Sequence, residues 1–225
     1  MPRQEEYMPR NDTIRRYAFF STGLFVSAFG ISLITKAGLG TSPISSVPYV
    51  LSFIYPLTFG QFTFVINMIM VGGQILILKK EFRKIQLLQI PVTLLFGIFI
   101  DATMGLLGSV HPSHYPVKII LLLLGSVVLG AGIAVQVRAN ALILPGEGLV
   151  KAIASVTGKK FGMVKTLFDS SLVCAAIALS LIHLSGITGL REGTVISALT
   201  VGSISHFFIR RLSNFDIPVR EAENG

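Results

Sequence analysis

Residues Lys36 to Phe53 read KAGLGTSPISSVPYVLSF, a glycine-, serine- and proline-rich stretch set between two long apolar runs. Gly38 and Gly40 open backbone conformations closed to other residues, and so end the helix that precedes them. Thr41 or Ser42 can then cap a new helix with Pro43 at its first position, where the missing N–H costs nothing. The spacing predicts a half-helix over 42–54, too short to cross a bilayer. An echo follows 138 − 36 = 102 residues later, where RANALILPGEGLVKAIAS runs from Arg138 to Ser155. A second half-helix is expected over 145–157.

The surrounding composition gives the setting for these two breaks. Of 225 residues, 52% are apolar and only 13% charged, about half the charge of a soluble domain. Six runs are long enough to span ~30 Å of hydrocarbon, at about 17–35, 59–78, 87–109, 117–137, 161–184 and 193–209. Lipid offers no partner to bare backbone, so each must be a helix, and none shows the two-residue alternation of a barrel strand. Cys174 is the single cysteine, which excludes an intrachain disulfide and a cysteine metal site.

The net charge of +8 does not describe a nucleic-acid surface, because the cations cluster at the ends of apolar runs. Arg10, Arg15 and Arg16 precede the first run, and Lys79, Lys80, Arg83 and Lys84 follow the second. Lys159 and Lys160 precede the fifth, while Arg210 and Arg211 follow the sixth. With six crossings all of these share one side, and the positive-inside rule expects that side, with tails 1–16 and 212–225, to be cytoplasmic. Eight crossings would put the N-terminal arginines and KKEFRK on opposite sides, against the same rule.

The echo extends beyond the breaks. Adding 102 takes Gly23, Gly30, Pro43, Phe59 and Gly60 onto Gly125, Gly132, Pro145, Phe161 and Gly162, and Asn67 onto Asp169. Three crossings per unit is an odd number, so the two units must lie in opposite orientations, as in many secondary transporters. The expected fold is therefore an all-α polytopic membrane protein of six transmembrane helices. Two inverted three-helix repeats, 17–110 and 117–211, would each carry a short re-entrant or interfacial half-helix. The rival is a false repeat created by similar composition.

Polar groups inside such helices are costly and mark candidate sites. Asp101 shares a face with Gly97, Gly105 and Gly108 and is expected to point into the bundle, either to handle a proton or cation or to bond a neighbouring helix. Asp169 lies four residues after Lys165, the spacing of an ion pair on one helix face. Glu147, in the first turn of the second half-helix, is placed to neutralise its N-terminus, whereas the first half-helix has only hydroxyls there. Asp101, Glu147 and Asp169 are thus the ion- or proton-coupling candidates; Thr41, Ser42, Ser45 and Asn67 are the substrate-binding candidates. Lys36 and Arg138, matching cations at the ends of the first and fourth runs, read as interfacial anchors, with contact to an anionic substrate as the alternative. His111, His114, His183 and His206 have no companions for a metal, and no nucleophile, phosphate cradle or cofactor fingerprint occurs, so no cofactor or enzymatic activity is expected.

The GLGTSP run at Gly38–Pro43, the Phe59-Gly60 pair, Asn67 and a later GTVISA run at Gly193–Ala198 resemble the YczE-like group of bacterial integral membrane proteins, grouped with YitT and YyaS. The resemblance covers about Arg16 to Arg211 and implies a bacterial cytoplasmic membrane location; it brings no assigned site residues. LPGEG at the second break departs from a second GTSP-like motif. The functional expectation is a secondary transporter of a small polar or anionic metabolite. The rivals are a passive channel and a non-transporting scaffold or regulatory partner. Expected partners are the bilayer, the solute and, as a homodimer, a second copy; nucleic acid is not among them.

Overall fold

A computed structural model describes residues 10–213, and all regular structure within it is helical. The order is α1 (Arg10–Lys36), a 3₁₀ turn (Pro43–Ser45) leading into α2 (Ser46–Ile54), α3 (Phe59–Leu78), α4 (Gln89–Leu106), α5 (Tyr115–Ala139), α6 (Pro145–Thr157), α7 (Phe161–Leu184) and α8 (Glu192–Ser213). Six of these, α1, α3, α4, α5, α7 and α8, are long and apolar enough to cross a membrane. At 9 and 13 residues, α2 and α6 are only about 14 and 20 Å long. They fall short of the hydrocarbon thickness, which leaves six helices of crossing length among the described residues. Helix α1 begins at Arg10 and its candidate span at Ile14, both inside the stretch expected as a tail; residues 1–9 and 214–225 of the expected tails lie outside the described residues. The third ends at Leu106 rather than 109, after a 3₁₀ segment at Lys84–Leu88.

The central contact is between α1 and α5. Glycine permits it: a Cβ on Gly30 would lie 2.4 Å from the Leu129 amide nitrogen, and one on Gly125 would lie 2.7 Å from that of Ile34. Without a hydrophobic driving force in lipid, such backbone approach is what lets dispersion and interhelical hydrogen bonds hold two helices together. Gln136 Nε2 donates across the seam to the Gly23 carbonyl at 3.1 Å and to Ser27 Oγ at 2.6 Å. Arg16 closes one end by donating to the carbonyls of Ala139 and Asn140 at the C-terminal end of α5, whose Asn140 cap leaves them free to accept.

The other crossings build outward from this pair. α4 packs on α1 and α3, and α8 packs on α5. α7 is the least buried crossing helix and rests on the half-helices α2 and α6. Gly60 meets Gly97 so closely that a Cβ on Gly60 would lie 2.0 Å from the Gly97 carbonyl oxygen. Gly162, which lies 102 residues further on, faces open space.

The loop that opens the first break is tied to the start of α8. Gly38 and Gly40 have φ of +69° and +117°, the left-handed conformations expected of them. The Gly193 N–H donates to the Leu39 carbonyl at 2.8 Å, the Thr41 N–H to Thr194 Oγ1 at 3.3 Å, and Ser197 Oγ to the Thr41 carbonyl at 3.3 Å. GLGTS and GTVIS, separate in sequence, form one structural unit.

Candidate functional site

The two half-helices begin at a shared place. Ile44, in the turn before α2, reaches Gly146 in the first turn of α6, where a Cβ would lie 2.2 Å from its Cδ1. Beside this contact lies a cavity of about 320 Å³. Its polar lining comes from Ser42 and Ser45 at the first break, Asn67 on α3, Glu147 on α6, and Lys165 and Asp169 on α7. Ser197 and Ser205 of α8, Gln136 of α5, Ser27 of α1, Thr63 of α3 and Thr166 of α7 add to it, and aliphatic and aromatic side chains form most of the remaining wall.

Five of the seven sequence candidates therefore meet at one place: Ser42, Ser45, Asn67, Glu147 and Asp169. Ser42 Oγ donates to Ser45 Oγ at 2.9 Å, and Asn67 Nδ2 to the Thr63 carbonyl at 2.8 Å. Ser42 precedes the 3₁₀ turn without a side-chain cap bond, so the expected cap at Thr41 or Ser42 is not formed. Lys165 Nζ donates to Asp169 Oδ1 at 2.6 Å, the pair that their spacing predicts. Glu147 has no hydrogen bond or ion pair among the described residues. α6 is not a crossing helix, and burial pushes the Glu147 carboxyl above the usual carboxylate range; the Lys165 ammonium opposes this and Asp169 adds to it.

Thr41 and Asp101 lie elsewhere. Thr41 is fully buried behind the cavity, its hydroxyl 3.0 Å from Thr35 Oγ1 and its backbone held by α8. Asp101, on α4, faces the start of α3, where it accepts from Thr58 Oγ1 at 2.5 Å and from the Gly60 N–H at 2.8 Å. A carboxylate against free N–H groups at a helix N-terminus is a charge-assisted cap. The alternative of a bond to a neighbouring helix describes what Asp101 does.

Gln136, Ser27 and Ser205 were not among the sequence candidates. Ser27 lies four residues after Gly23 and Gln136 four after Gly132, so the small-residue faces of α1 and α5 carried a readable signal. Ser205 carried none.

A second, larger groove of about 610 Å³ lies between α6, the end of α5 and the loop between α3 and α4, with Arg83 and Lys151 on its wall. Ile133, Gln136, Leu144 and Glu147 line both the groove and the cavity. The two spaces adjoin at these four side chains. Beside them Gln74 Nε2 donates to Gln89 Oε1 at 3.1 Å and to the Pro145 carbonyl at 3.0 Å, fixing the start of α6.

Fold and site together define a six-crossing helical membrane protein with a mainly apolar internal cavity, set with a few polar groups, beside two non-crossing half-helices. The chain belongs to DUF6198, a family of unknown function, which matches residues 14–210. It is 30% identical over 217 residues to the uncharacterized membrane protein YczE of Bacillus subtilis strain 168, covering 95% of each chain. It is also 26% identical over 195 residues to the uncharacterized protein YyaS of the same organism, covering 86% of this chain and 92% of that one. No solved structure gives a significant match.

Proposed function

We propose that this protein is a secondary transporter of a small polar solute, working by alternating access of two inverted units. We place it in the bacterial cytoplasmic membrane with both termini in the cytoplasm, and assign it no catalytic chemistry. The observation that carries the reading is the wall of Ile133, Gln136, Leu144 and Glu147 shared by the cavity and the larger groove. A cavity that stops at a thin barrier toward the groove suits alternating access better than a continuous pore. Glu147 touches both spaces, so it can exchange a proton with one and a cation or solute with the other. Of the polar and anionic solutes expected from sequence, the lining favours the polar: Lys165 against Glu147 and Asp169 sums to 1 − 2 = −1.

The inverted repeat draws support from the α1–α5 seam. A Cβ on Gly132 would lie 2.9 Å from the Gly23 carbonyl oxygen, and one on Gly125 would lie 3.0 Å from that of Gly30. Adding 102 converts the first pair into the second with the helices exchanged. The packing of α2 on α7 and of α6 on α3 exchanges in the same way; the α3–α4 contact has no equally packed counterpart between α7 and α8.

Proteoliposomes loaded with a pH-sensitive dye and challenged with polar metabolites test this. Saturable counterflow with proton movement that is lost in Glu147→Gln is expected. Flux that never saturates or exchanges would mean a channel, and flux unchanged in both Glu147→Gln and Asp169→Asn would remove the coupling role.

A further inference from the structure

The cavity has a side opening. Its walls include Thr166 and Asp169 on α7 and Val201, Gly202 and Ser205 on α8, yet these two helices make at most glancing contact. Thr166 and Gly202 are surface-exposed as well as cavity-lining, and a Cβ on Gly202 would meet nothing. The cavity therefore reaches the flank of the bundle between α7 and α8. Asp169 is eight residues, about 12 Å, from the start of α7, so the opening lies within the hydrocarbon depth. On the same helices Leu167 and Leu199 are 57% and 72% exposed, as surfaces that face acyl chains are.

From this lateral opening, the mainly apolar wall and the unpaired carboxylate, we infer that the transported solute is an amphiphilic amine. Its ammonium group meets Glu147, and its alkyl chain leaves between α7 and α8 into the bilayer. This rests on the transporter reading and replaces its small polar solute with a polar head carried on an apolar tail. A water-soluble solute has no use for an opening at acyl-chain depth. A lipid-like anion would meet two carboxylates against one lysine. A long-chain amine satisfies both: it partitions into the bilayer by its tail, at about 0.8 kcal/mol per buried CH₂, and carries the charge that Glu147 lacks as a partner. The Lys165–Asp169 pair keeps the second carboxylate occupied, which leaves one cation site.

The chain has no tryptophan, so a single introduced one reports its surroundings. Thr166→Trp places it at the opening, and Ile69→Trp, at a position 65% exposed on α3, serves as a lipid-facing control. In nanodiscs both should be quenched by brominated phospholipid. A nitroxide-labelled dodecylamine should quench the Thr166→Trp variant saturably, with at least tenfold weaker saturation in added Glu147→Gln, recovery in Glu147→Asp, and no saturable effect on Ile69→Trp. Labelled dodecanoate should show none. Equal, non-saturating quenching at both positions would overturn the inference. So would protection of the Thr166→Trp site from brominated lipid, which would mean that a second copy covers the opening. Saturable, Glu147-dependent flux of short water-soluble amines without any dodecylamine effect would overturn it too while leaving the transporter standing. Dodecylamine saturation without any Glu147-dependent flux would support the site and sink the transporter.

Discussion

The Gly193 amide donates to the Leu39 carbonyl at 2.8 Å, joining the first break in the chain to the start of the last crossing helix. The joint is tight, since a Cβ on Gly193 would lie 2.5 Å from that same oxygen. Gly193→Ala should therefore destabilise the protein by about 1–3 kcal/mol, the usual cost of overpacking. Gly72→Ala, at a helical position where a Cβ meets nothing, should be neutral or stabilising. Thermal unfolding in detergent gives the comparison, and equal midpoints for the two variants would show that the joint is not strained by a methyl group.

Asp101 is expected to act on stability rather than on flux. Asp101→Ala removes a charged acceptor from the Thr58 hydroxyl and the Gly60 amide, a loss of about 1.5–3 kcal/mol. Asp101→Asn should retain part of that. Flux per folded molecule should be unchanged in Asp101→Asn; its abolition alongside a normal melting temperature would return this acid to the coupling role.

The Lys165–Asp169 pair is only 28% and 24% exposed at its side chains. Removing one partner leaves an uncompensated, partly buried charge, which costs more than removing both. Lys165→Met and Asp169→Asn should each destabilise more than the double variant, with a coupling energy of about 0.5–3 kcal/mol in a double-mutant cycle. Simple additivity would mean that the two do not interact.

Glu147 gives a pH signature. Its folded carboxyl is held above the ordinary range, first by burial, against the opposing pull of Lys165 and with a further push from Asp169. Only at pH values between the ordinary range and the raised one does the folded state hold a proton that the unfolded chain has released. The stability from this group is fully present below the ordinary carboxyl range and is lost as pH rises through the raised value. Wild-type stability should fall relative to Glu147→Gln across that window, read as the difference in melting temperature between about pH 4 and pH 8. A difference independent of pH would place Glu147 in water.

Topology is tested by thiol labelling in a Cys174→Ala background. Cysteines replacing Lys80 and Lys159, both exposed, should react from the cytoplasmic side, and one replacing exposed His111 from the opposite side. Labelling of Lys80→Cys and Lys159→Cys from different sides would break the six-crossing arrangement.

What the sequence determined alone is what lipid and local geometry dictate. Crossing helices follow from run length, because unpaired backbone has no alternative in hydrocarbon, and the second half-helix follows from Pro145, a residue that starts helices at no cost. The Lys165–Asp169 pair follows from a spacing of four. Tertiary structure decided which polar residues share a space. Asp101 and Glu147 look alike in sequence, as single acids near glycines; one faces the start of α3 and the other a cavity, because Gly97 seats against Gly60 while Gly148 seats against Gln74. The gap between α7 and α8 was equally invisible, since Gly162 repeats Gly60 in sequence but has no Gly97 to meet. Such distinctions depend on which helix arrives opposite a given face, and no local spacing encodes that.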